Sequence, residues 1–177
     1  MIKLFVGLLM GATCAFSNVN AEEKPAIAPV QQTLALVKPE AVEGSKVGQI
    51  IARFEGSGLK VVGLRMMRLT KRKANRFYSQ HKDKPFFPAL VTYMTSGPIV
   101  AMVLEGPDAV EKARQLEGAT DPKKAAAGTI RADFGKDIQA NAVHGSDSLE
   151  SAKREISFFF KQSEIFSNNQ GVPSVKR

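Results

Sequence analysis

The sequence predicts an α+β fold of the ferredoxin-like type, in which helices cover a four-stranded antiparallel sheet. Three observations support this prediction. Four short apolar runs have the length of strands, amphipathic segments separate them, and the order of these elements matches a split β-α-β unit with additions. The chain has 177 residues and 44% of them are hydrophobic, which suits one domain with a substantial core and an extension at each end.

The first half of the predicted domain alternates strands with helices. Residues 33–37 form an apolar run that ends at Lys38 and Pro39, which is typical of a buried strand. Ser45 is expected to cap a helix with apolar residues at positions 47, 50, 51 and 54, and the glycines at 56 and 58 end it. The next elements are a strand at 59–69, a polar helix at 71–80 and another helix at 86–95.

The second half continues this alternation. A third strand is predicted at 98–104, and Pro107 fits the first turn of a helix that reaches about Leu116. Residues 118–130 are predicted to be a loop and residues 140–144 a short fourth strand. The last helix is expected to begin near Asp147, where Asp147 and Glu150 resemble a capping box. Its apolar stripe consists of Leu149, Ala152, Ile156 and Phe159.

The two ends of the chain differ from its middle. Residues 1–21 resemble a secretory signal, because Lys3 precedes an apolar segment too short to span a bilayer and Val19-Asn20-Ala21 is a small-x-small cleavage pattern. Lipoprotein processing at Cys14 and an uncleaved anchor are alternatives. Cleavage would leave a secreted, periplasmic or organelle-lumenal protein without a stable membrane span. We therefore predict a signal peptide at 1–21, a linker at 22–31, a domain at 32–166 and a flexible tail at 167–177.

Charge and cysteine content limit the possible partners and chemistry. The net charge is +8, and removal of residues 1–21 leaves 24 basic and 17 acidic residues. Such a surface favours phosphate-rich ligands, nucleic acid or acidic membranes, although it can also serve solubility alone. Nucleic acid is the less favoured partner, because the sequence has no run of five like charges and no basic motif interleaved with aromatics. Cleavage would remove Cys14, the only cysteine, which excludes disulfides, zinc-thiolate sites and a cysteine nucleophile.

The most informative segment is 141–148, with the sequence Asn-Ala-Val-His-Gly-Ser-Asp-Ser. It places His144, one of only two histidines, after a short apolar run and before a turn and a helix start. An imidazole held rigidly there is a competent nucleophile near neutral pH, and it can accept and carry a phosphoryl group. The segment points to phosphoryl transfer through a phosphohistidine, although a lone histidine is more often structural.

Other residues could serve the parts of a nucleotide. Lys38 follows a buried strand, and Arg114, Thr120 and Arg131 lie in or around the predicted helix and loop after the third strand. Arginine makes bidentate phosphate contacts and threonine donates a hydroxyl. Phe86, within a Pro-Phe-Phe-Pro segment, can offer its face to a nucleobase. Taken singly, the polar residues are more often solvated and the aromatic residue more often core.

Two further residues bear on the histidine. Glu155 follows His144 by eleven residues on the last helix and can orient its ring, with Ser146 as intermediary. The alternative for Glu155 is an exposed position beside Lys153. His81, at the end of a polar helix, is assigned a structural or surface role.

In combination, these blocks resemble the nucleoside diphosphate kinase family. The segment around His144 looks like the family's active-site signature, and the other blocks occur in the family's order from about residue 32 to 166. Those blocks are Leu36-Val37-Lys38-Pro39, Lys82-Asp83-Lys84-Pro85-Phe86-Phe87, Ser96-Gly97-Pro98, Gly118-Ala119-Thr120-Asp121-Pro122 and Gly128-Thr129-Ile130-Arg131.

The resemblance implies a ping-pong transfer of the γ-phosphate from ATP or another nucleoside triphosphate to a nucleoside diphosphate, with Mg²⁺. His144 would carry the phosphoryl group, with Tyr78 close to it and with Ser146 and Glu155 in support. No residue is assigned as a direct metal ligand. Four residues would contact the phosphates and the transferring group: Lys38, Arg114, Thr120 and Arg131. Phe86 would stack on the base, and Asn141 would contact the sugar.

The resemblance also bears on assembly and physiological role. Family members are hexamers or tetramers built from a shared dimer, so a homo-oligomer is expected, and Pro122 lies in a loop that often contributes to its contacts. Glu40 stands where aspartate is usual after Lys-Pro. The signal-like N-terminus is unusual for a mostly cytosolic family. It leaves the alternative of an exported nucleotide-binding or signalling protein that kept the fold.

Overall fold

The computed structural model describes residues 29–167. The predicted signal peptide at 1–21, most of the predicted linker and the tail beyond Ser167 lie outside the described residues. No helix within residues 29–167 has the length and apolar character needed to cross a membrane. The elements are β1 (Val30–Val37), α1 (Pro39–Glu43), α2 (Val47–Gly56), β2 (Lys60–Arg68), α3 (Lys71–Phe77), α4 (Phe87–Met94), β3 (Pro98–Pro107), α5 (Ala109–Glu117), α6 (Ile130–Phe134), β4 (Val143–Gly145) and α7 (Leu149–Phe159).

The four strands form one sheet in the order β2-β3-β1-β4, and each neighbouring pair is antiparallel. This is the strand order of a split β-α-β unit, so the predicted ferredoxin-like fold is confirmed. The strand β1 lies between β3 and β4, and Leu36 is paired with His144 across the β1–β4 ladder. The sheet therefore places the histidine beside the end of β1, where Lys38 follows.

Alternation along β1 and β3 divides the core between the two faces of the sheet. Leu34 and Leu36 belong to a cluster that also contains residues of α3, α4 and α7. Ala35 and Val37 belong to a second cluster, with residues of α2, α5 and α6. Successive residues of a strand point to opposite faces, so helices cover both sides of the sheet. The inner parts of its central strands, residues 34–37 and 99–104, are accordingly apolar on both faces.

Local differences from the sequence predictions occur mainly where elements begin. The strand β1 starts at Val30, inside the predicted linker, because its register with β3 continues to Pro107. Pro39 opens an unpredicted helix, α1, in the first-turn position that suits proline. Ser45 does not cap α2: its φ is 56°, and Lys46 occupies the N-cap without a side-chain hydrogen bond.

The later elements show similar differences. Pro107 ends β3 instead of opening a helix, and α5 starts two residues later, at Ala109. The predicted loop at 118–130 contains a 3-10 turn, and the short helix α6 begins at its last residue. The predicted Asp147–Glu150 capping box is wrong, because Ser148 and Ser151 form the reciprocal bonds at the start of α7. Leu149 is also exposed, so it does not belong to the apolar stripe of that helix.

Candidate active site

A cleft of about 1170 Å³ opens beside β4 and the end of β1. Its volume is sufficient for a nucleotide-sized ligand. Eight of the ten residues singled out in the sequence line it, although they come from distant parts of the chain. The two that do not line it, Ser146 and Glu155, are buried. The lining residues are Lys38, Tyr78, Phe86, Arg114, Thr120, Arg131, Asn141 and His144.

One ring nitrogen of His144 is fixed by a buried carboxylate. Nε2 lies 2.9 Å from Oε2 of Glu155, and the histidine side chain is 20% exposed while that of Glu155 is 5% exposed. An ionised carboxylate only accepts hydrogen bonds, so this contact requires a proton on Nε2 and leaves the Nδ1 lone pair available. Within residues 29–167, no hydrogen bond engages Nδ1. The ring also makes edge contacts with Phe77 at 5.4 Å and Tyr78 at 5.9 Å between centroids, which restrain its orientation.

Glu155 lies on α7 and accepts two hydrogen bonds at one oxygen. Besides Nε2 of His144, the hydroxyl of Ser146 donates to Oε2 at 2.8 Å. Ser146 is therefore a second donor and not the intermediary that the sequence suggested. Burial alone would raise the pKa of Glu155, but the hydrogen bonds from His144 and Ser146 hold that pKa below its usual value. Glu155 is thus an ionised acceptor for the histidine near neutral pH.

Lys38 reaches across the end of the sheet toward the segment before β4. Its Nζ donates to the carbonyl oxygen of Gln139 at 3.1 Å and to Oδ1 of Asn141 at 2.5 Å. The Asn141 amide in turn donates to the carbonyl oxygen of Thr120 at 2.8 Å. Burial lowers the pKa of Lys38 to about 8, although the negative charge of Glu40 partly opposes this effect. The lysine charge is consequently sensitive to pH just above neutrality.

Arg131 is almost fully buried in the wall of the cleft. Nη1 donates to the carbonyl oxygen of Gly118 at 2.6 Å, and Nη2 donates to that of Val143 at 3.1 Å. Nη2 also lies 3.3 Å from Oε2 of Glu117, whose side chain is 0% exposed. Glu117 escaped the sequence analysis because glutamate at the end of a helix is ordinarily solvated. Its only sequence signal is an acidic residue in a last helical turn, where the helix dipole disfavours one.

The other end of the cleft presents an aromatic surface. Phe86 is 52% exposed, and its ring centroid lies 5.7 Å from that of His81. His81, which was assigned a structural or surface role from the sequence, also lines the cleft. Exposed Ile138 also lines the cleft, and sequence reasoning missed it because it belongs to no motif. An exposed aromatic face can accept the flat surface of a nucleobase.

Tyr78 carries an unsatisfied hydroxyl beside the histidine. The oxygen is buried, and it has no hydrogen-bond partner among residues 29–167. Burial raises the pKa of Tyr78, and the negative charge of Glu155 raises it further, so the hydroxyl keeps its proton. A buried donor without a partner is uncommon in folded proteins. Its position in the cleft lining is consistent with a donor for a bound ligand.

The donor set suits a divalent cation that arrives with a phosphate ligand. No group of three or more His, Cys, Asp or Glu side chains within residues 29–167 is arranged to hold a metal. Asp147 does line the cleft, and hydrogen bonds from Ser151 and Ser148 hold its pKa below the usual value. An ionised carboxylate can share a cation with phosphate oxygens, since such sites need only one or two protein carboxylates.

Comparisons with known proteins decide the family. A family model described as nucleoside diphosphate kinase matches residues 31–165. The chain belongs to this family. A protein named nucleoside diphosphate kinase from Campylobacter hominis is 60% identical over 136 residues, which cover 77% of this chain and 99% of that protein. One of the same name from Nitratiruptor sp. is 57% identical over 136 residues, with the same two coverages.

Solved structures of nucleoside diphosphate kinases match the fold. The Aquifex aeolicus enzyme has a TM-score of 0.76 and 47% identity, over 77% of this chain and 99% of that one. A Halobacterium salinarum enzyme in complex with CDP has a TM-score of 0.75 and 46% identity, over 77% of this chain and 91% of that one. The family activity predicted from the sequence, phosphate transfer from a nucleoside triphosphate to a nucleoside diphosphate, is confirmed. Nothing in these matches supports the signalling alternative. The family binds nucleotides, is generally oligomeric and depends on a divalent metal.

Proposed function

We propose that this nucleoside diphosphate kinase transfers the γ-phosphate by a ping-pong route through a phosphohistidine at His144. The observation that carries the proposal is the contact of Nε2 with Glu155, which leaves Nδ1 as the nitrogen available to react. In the first half-reaction, the Nδ1 lone pair attacks the γ-phosphorus of ATP or another triphosphate. The bond from that phosphorus to the β–γ bridging oxygen breaks, and the diphosphate leaves with the bond electrons.

The second half-reaction reverses these bond changes with a different nucleotide. A terminal phosphate oxygen of the incoming diphosphate attacks the phosphorus, and the Nδ1–P bond breaks. The imidazole gains positive character while it carries the phosphoryl group, and the ionised Glu155 stabilises that charge through Nε2–H. Ser146 holds the carboxylate in place through its hydroxyl. This arrangement lets one imidazole serve both half-reactions without moving.

The basic and hydroxyl side chains of the cleft are proposed to hold the phosphates. Lys38 and Arg131 are buried and fixed by carbonyl oxygens, so their donors are already oriented before the nucleotide binds. Arg114 and Thr120 are exposed in the cleft and would order on binding. Tyr78 would donate its unsatisfied hydroxyl to the group being transferred. Together they place positive charge and donors around the γ-phosphate.

The nucleoside is proposed to occupy the aromatic end of the cleft, with its base against Phe86 and its sugar near Asn141. In the free protein the Asn141 amide already binds Lys38 and the Thr120 carbonyl oxygen, so it can link a sugar contact to the phosphate lysine. The exposed ring of Phe86 carries no hydrogen-bonding group. Stacking on it does not distinguish one base from another, and we therefore expect low base selectivity.

We propose that the metal is Mg²⁺ and that it enters as part of the nucleotide substrate, with Asp147 as the neighbouring protein carboxylate. A bound Mg²⁺ would neutralise charge on the phosphate oxygens. Asp147 remains ionised near neutral pH, which suits it to this role. The chain's own residues supply the orientation of the phosphates and the nucleophile.

The proposal is tested by labelling. The purified protein is incubated with ATP labelled in the γ-phosphate and with Mg²⁺, and the protein-bound label is examined. We expect a phosphoprotein that is labile to acid and stable to alkali, and that discharges onto added GDP. Label that survives acid, or label that does not discharge, would contradict a phosphohistidine intermediate.

The lowered pKa of Lys38 predicts a basic limb in the pH profile. Protonated Lys38 is the form that attracts phosphate, and burial lowers its pKa to about 8, so its charge is lost as the pH rises through that value. We expect kcat/KM for the diphosphate to fall above about pH 8. The profiles of wild type, Lys38→Arg and the exposed control Lys60→Arg would be compared. The limb should disappear only in Lys38→Arg, and its persistence there would assign it to another group.

Removal of the Phe86 ring should weaken nucleotide binding and should change the rate of phosphoryl transfer little. Stacking of a base on an aromatic ring contributes about 1–3 kcal/mol, so Phe86→Ala is expected to raise KM about 10-fold with kcat little changed. The increase should be similar for GDP, CDP and UDP. Steady-state kinetics with each acceptor provide the measurement, and Phe166→Ala serves as control because Phe166 is exposed and outside the cleft lining. A fall in kcat alone would place the base elsewhere.

We also propose that the protein is exported, with cleavage after Ala21, and that it assembles as a hexamer or tetramer. Three features of the N-terminus support export: the positive charge of Lys3, the apolar segment that follows it and the Val19-Asn20-Ala21 pattern. We expect N-terminal sequencing of exported protein to begin at Glu22; a start at Met1 or a modified Cys14 would refute this choice. Light scattering of the purified protein would distinguish the two assemblies from a monomer.

A further inference from the structure

Glu117 is a buried acid that lies behind β4, the strand that contains His144, and it has no part in the mechanism above. It is the last residue of α5 and its side chain is 0% exposed. Oε2 lies 3.3 Å from Nη2 of Arg131, and Oε1 has no hydrogen-bond partner within residues 29–167. Burial disfavours a carboxylate, and so does the end of a helix, where the dipole is negative. An acid at this position therefore calls for an explanation beyond folding.

Gly145, the residue after His144, packs directly against this carboxylate. A Cβ built onto Gly145 would lie only 1.9 Å from Oε1 of Glu117, so a larger residue does not fit without displacing the acid. Gly145 lies on the edge strand β4 and is paired with Ala35 of β1, which fixes its backbone. The carboxylate is consequently held between the β4 backbone and the Arg131 guanidinium.

Glu117 provides one of the three acceptors around the guanidinium of Arg131. Two carbonyl oxygens, of Gly118 and Val143, accept from Nη1 and Nη2, and Nε is buried without a partner in the described part of the chain. Glu117 is its only ion-pair partner among residues 29–167. Without the carboxylate, nothing charged would oppose movement of the guanidinium toward an anionic ligand in the cleft.

We propose that Glu117 is a positioning residue, which holds Arg131 against β4 in the orientation that stabilises the phosphoryl group during its transfer. This proposal rests on the role given to Arg131 under the proposed function. Replacing a buried ion pair with well-packed apolar residues often leaves folding stability unchanged or increases it, so folding alone does not explain the pair. A donor fixed before the reaction stabilises developing charge better than one that must reorient. Glu117 thus acts on the reaction through Arg131 and not by touching the substrate.

The test compares the full-length wild type with two variants in single-turnover labelling and in steady state. Glu117→Gln keeps the shape and removes the charge, and Glu117→Met provides an uncharged residue of similar length should glutamine fold poorly. We expect phosphohistidine to form about 10- to 100-fold more slowly in both, since misplacement of a catalytic group by about 1 Å can cost 100-fold. KM should remain within about 2-fold, because the bound phosphates keep the contacts proposed for Lys38, Arg114 and Thr120. Loss of the Arg131 orientation should act mainly on the transition state and therefore on kcat. Glu111→Gln, an exposed acid on the same helix, is the matched control and should match wild type.

Two outcomes separate this role from a structural one. A carboxylate that only stabilises the fold would change the melting temperature and leave the phosphorylation rate of the folded protein intact. One that acts through Arg131 should have no further effect in an Arg131→Met background. Wild-type phosphorylation rates in both Glu117 variants, or a rise in KM with kcat unchanged, would overturn the proposal. Absence of label from the wild type would instead overturn the proposed function.

Discussion

Replacing His144 with alanine is expected to abolish the phosphoprotein and to lower kcat by on the order of 10⁴-fold or more, as with nucleophiles in other enzymes. The expectation follows from the contacts of the ring. Nε2 is committed to Glu155, and Nδ1 has no competing hydrogen bond within residues 29–167. Alanine offers no atom that can accept the phosphoryl group. Nucleotide binding should survive, since Phe86 and Lys38 are unchanged, so the variant should still bind ADP by calorimetry.

The chain provides its own control, because His81 is its only other histidine. Its ring lies in the same cleft beside Phe86, but no carboxylate is paired with it within residues 29–167. His81→Ala should therefore still acquire an acid-labile label. Label retained in His144→Ala and lost in His81→Ala would reverse the assignment of the nucleophile. Loss of ADP binding in His144→Ala would show that the variant had not kept its site.

The architecture could be predicted from the sequence because the strands and helices have different apolar periodicities. The run at 33–37 and the helical spacing at 47–54 each match one period, and both became elements at nearly those positions. Asn141, His144 and Asp147 of the motif around His144 also line one cleft. These signals are local, so a single segment carries enough information to identify each of them.

The capping and pairing details could not be predicted, because they depend on contacts between distant segments. Ser45 suits an N-cap by type, yet its backbone takes a left-handed φ of 56° between α1 and α2. Val30 belongs to a strand only because β3 extends far enough to pair with it. The residues of the Glu117–Arg131 pair lie 14 positions apart, and the only local sign of a buried acid is that Glu117 falls in the last turn of a helix.

Glu40 illustrates how a change between similar residues acquires meaning only in the structure. Its Oε1 accepts from the backbone N–H of Ala142 at 2.7 Å, and its Oε2 accepts from the hydroxyl of Tyr93. Ala142 has a left-handed φ of 67°, which is uncommon for alanine. The carboxylate thus anchors the bend that leads into β4 and His144. Its longer side chain, relative to aspartate, is used to reach that backbone.

Arg131→Met is expected to have the second largest effect, on both stability and activity. It would leave the carboxylate of Glu117 buried without a counter-charge and would remove donors from the carbonyl oxygens of Gly118 and Val143. Breaking a buried ion pair from one side costs about 3–5 kcal/mol, so the free energy of unfolding in urea should fall by about that amount. Phosphohistidine formation should slow by about 100-fold, because a fixed donor to the developing charge is lost.

The double variant Arg131→Met with Glu117→Met separates these two effects. With both charges replaced by apolar side chains of similar length, no unpaired charge remains buried, and the free energy of unfolding should recover by more than half. The phosphorylation rate should stay near that of Arg131→Met, because an apolar residue at position 117 does not restore the guanidinium donor lost at position 131. Urea denaturation and single-turnover labelling of the same preparations provide both measurements. Joint recovery of stability and rate would mean that Arg131 serves the fold alone, and recovery of neither would mean that the two charges are not energetically paired.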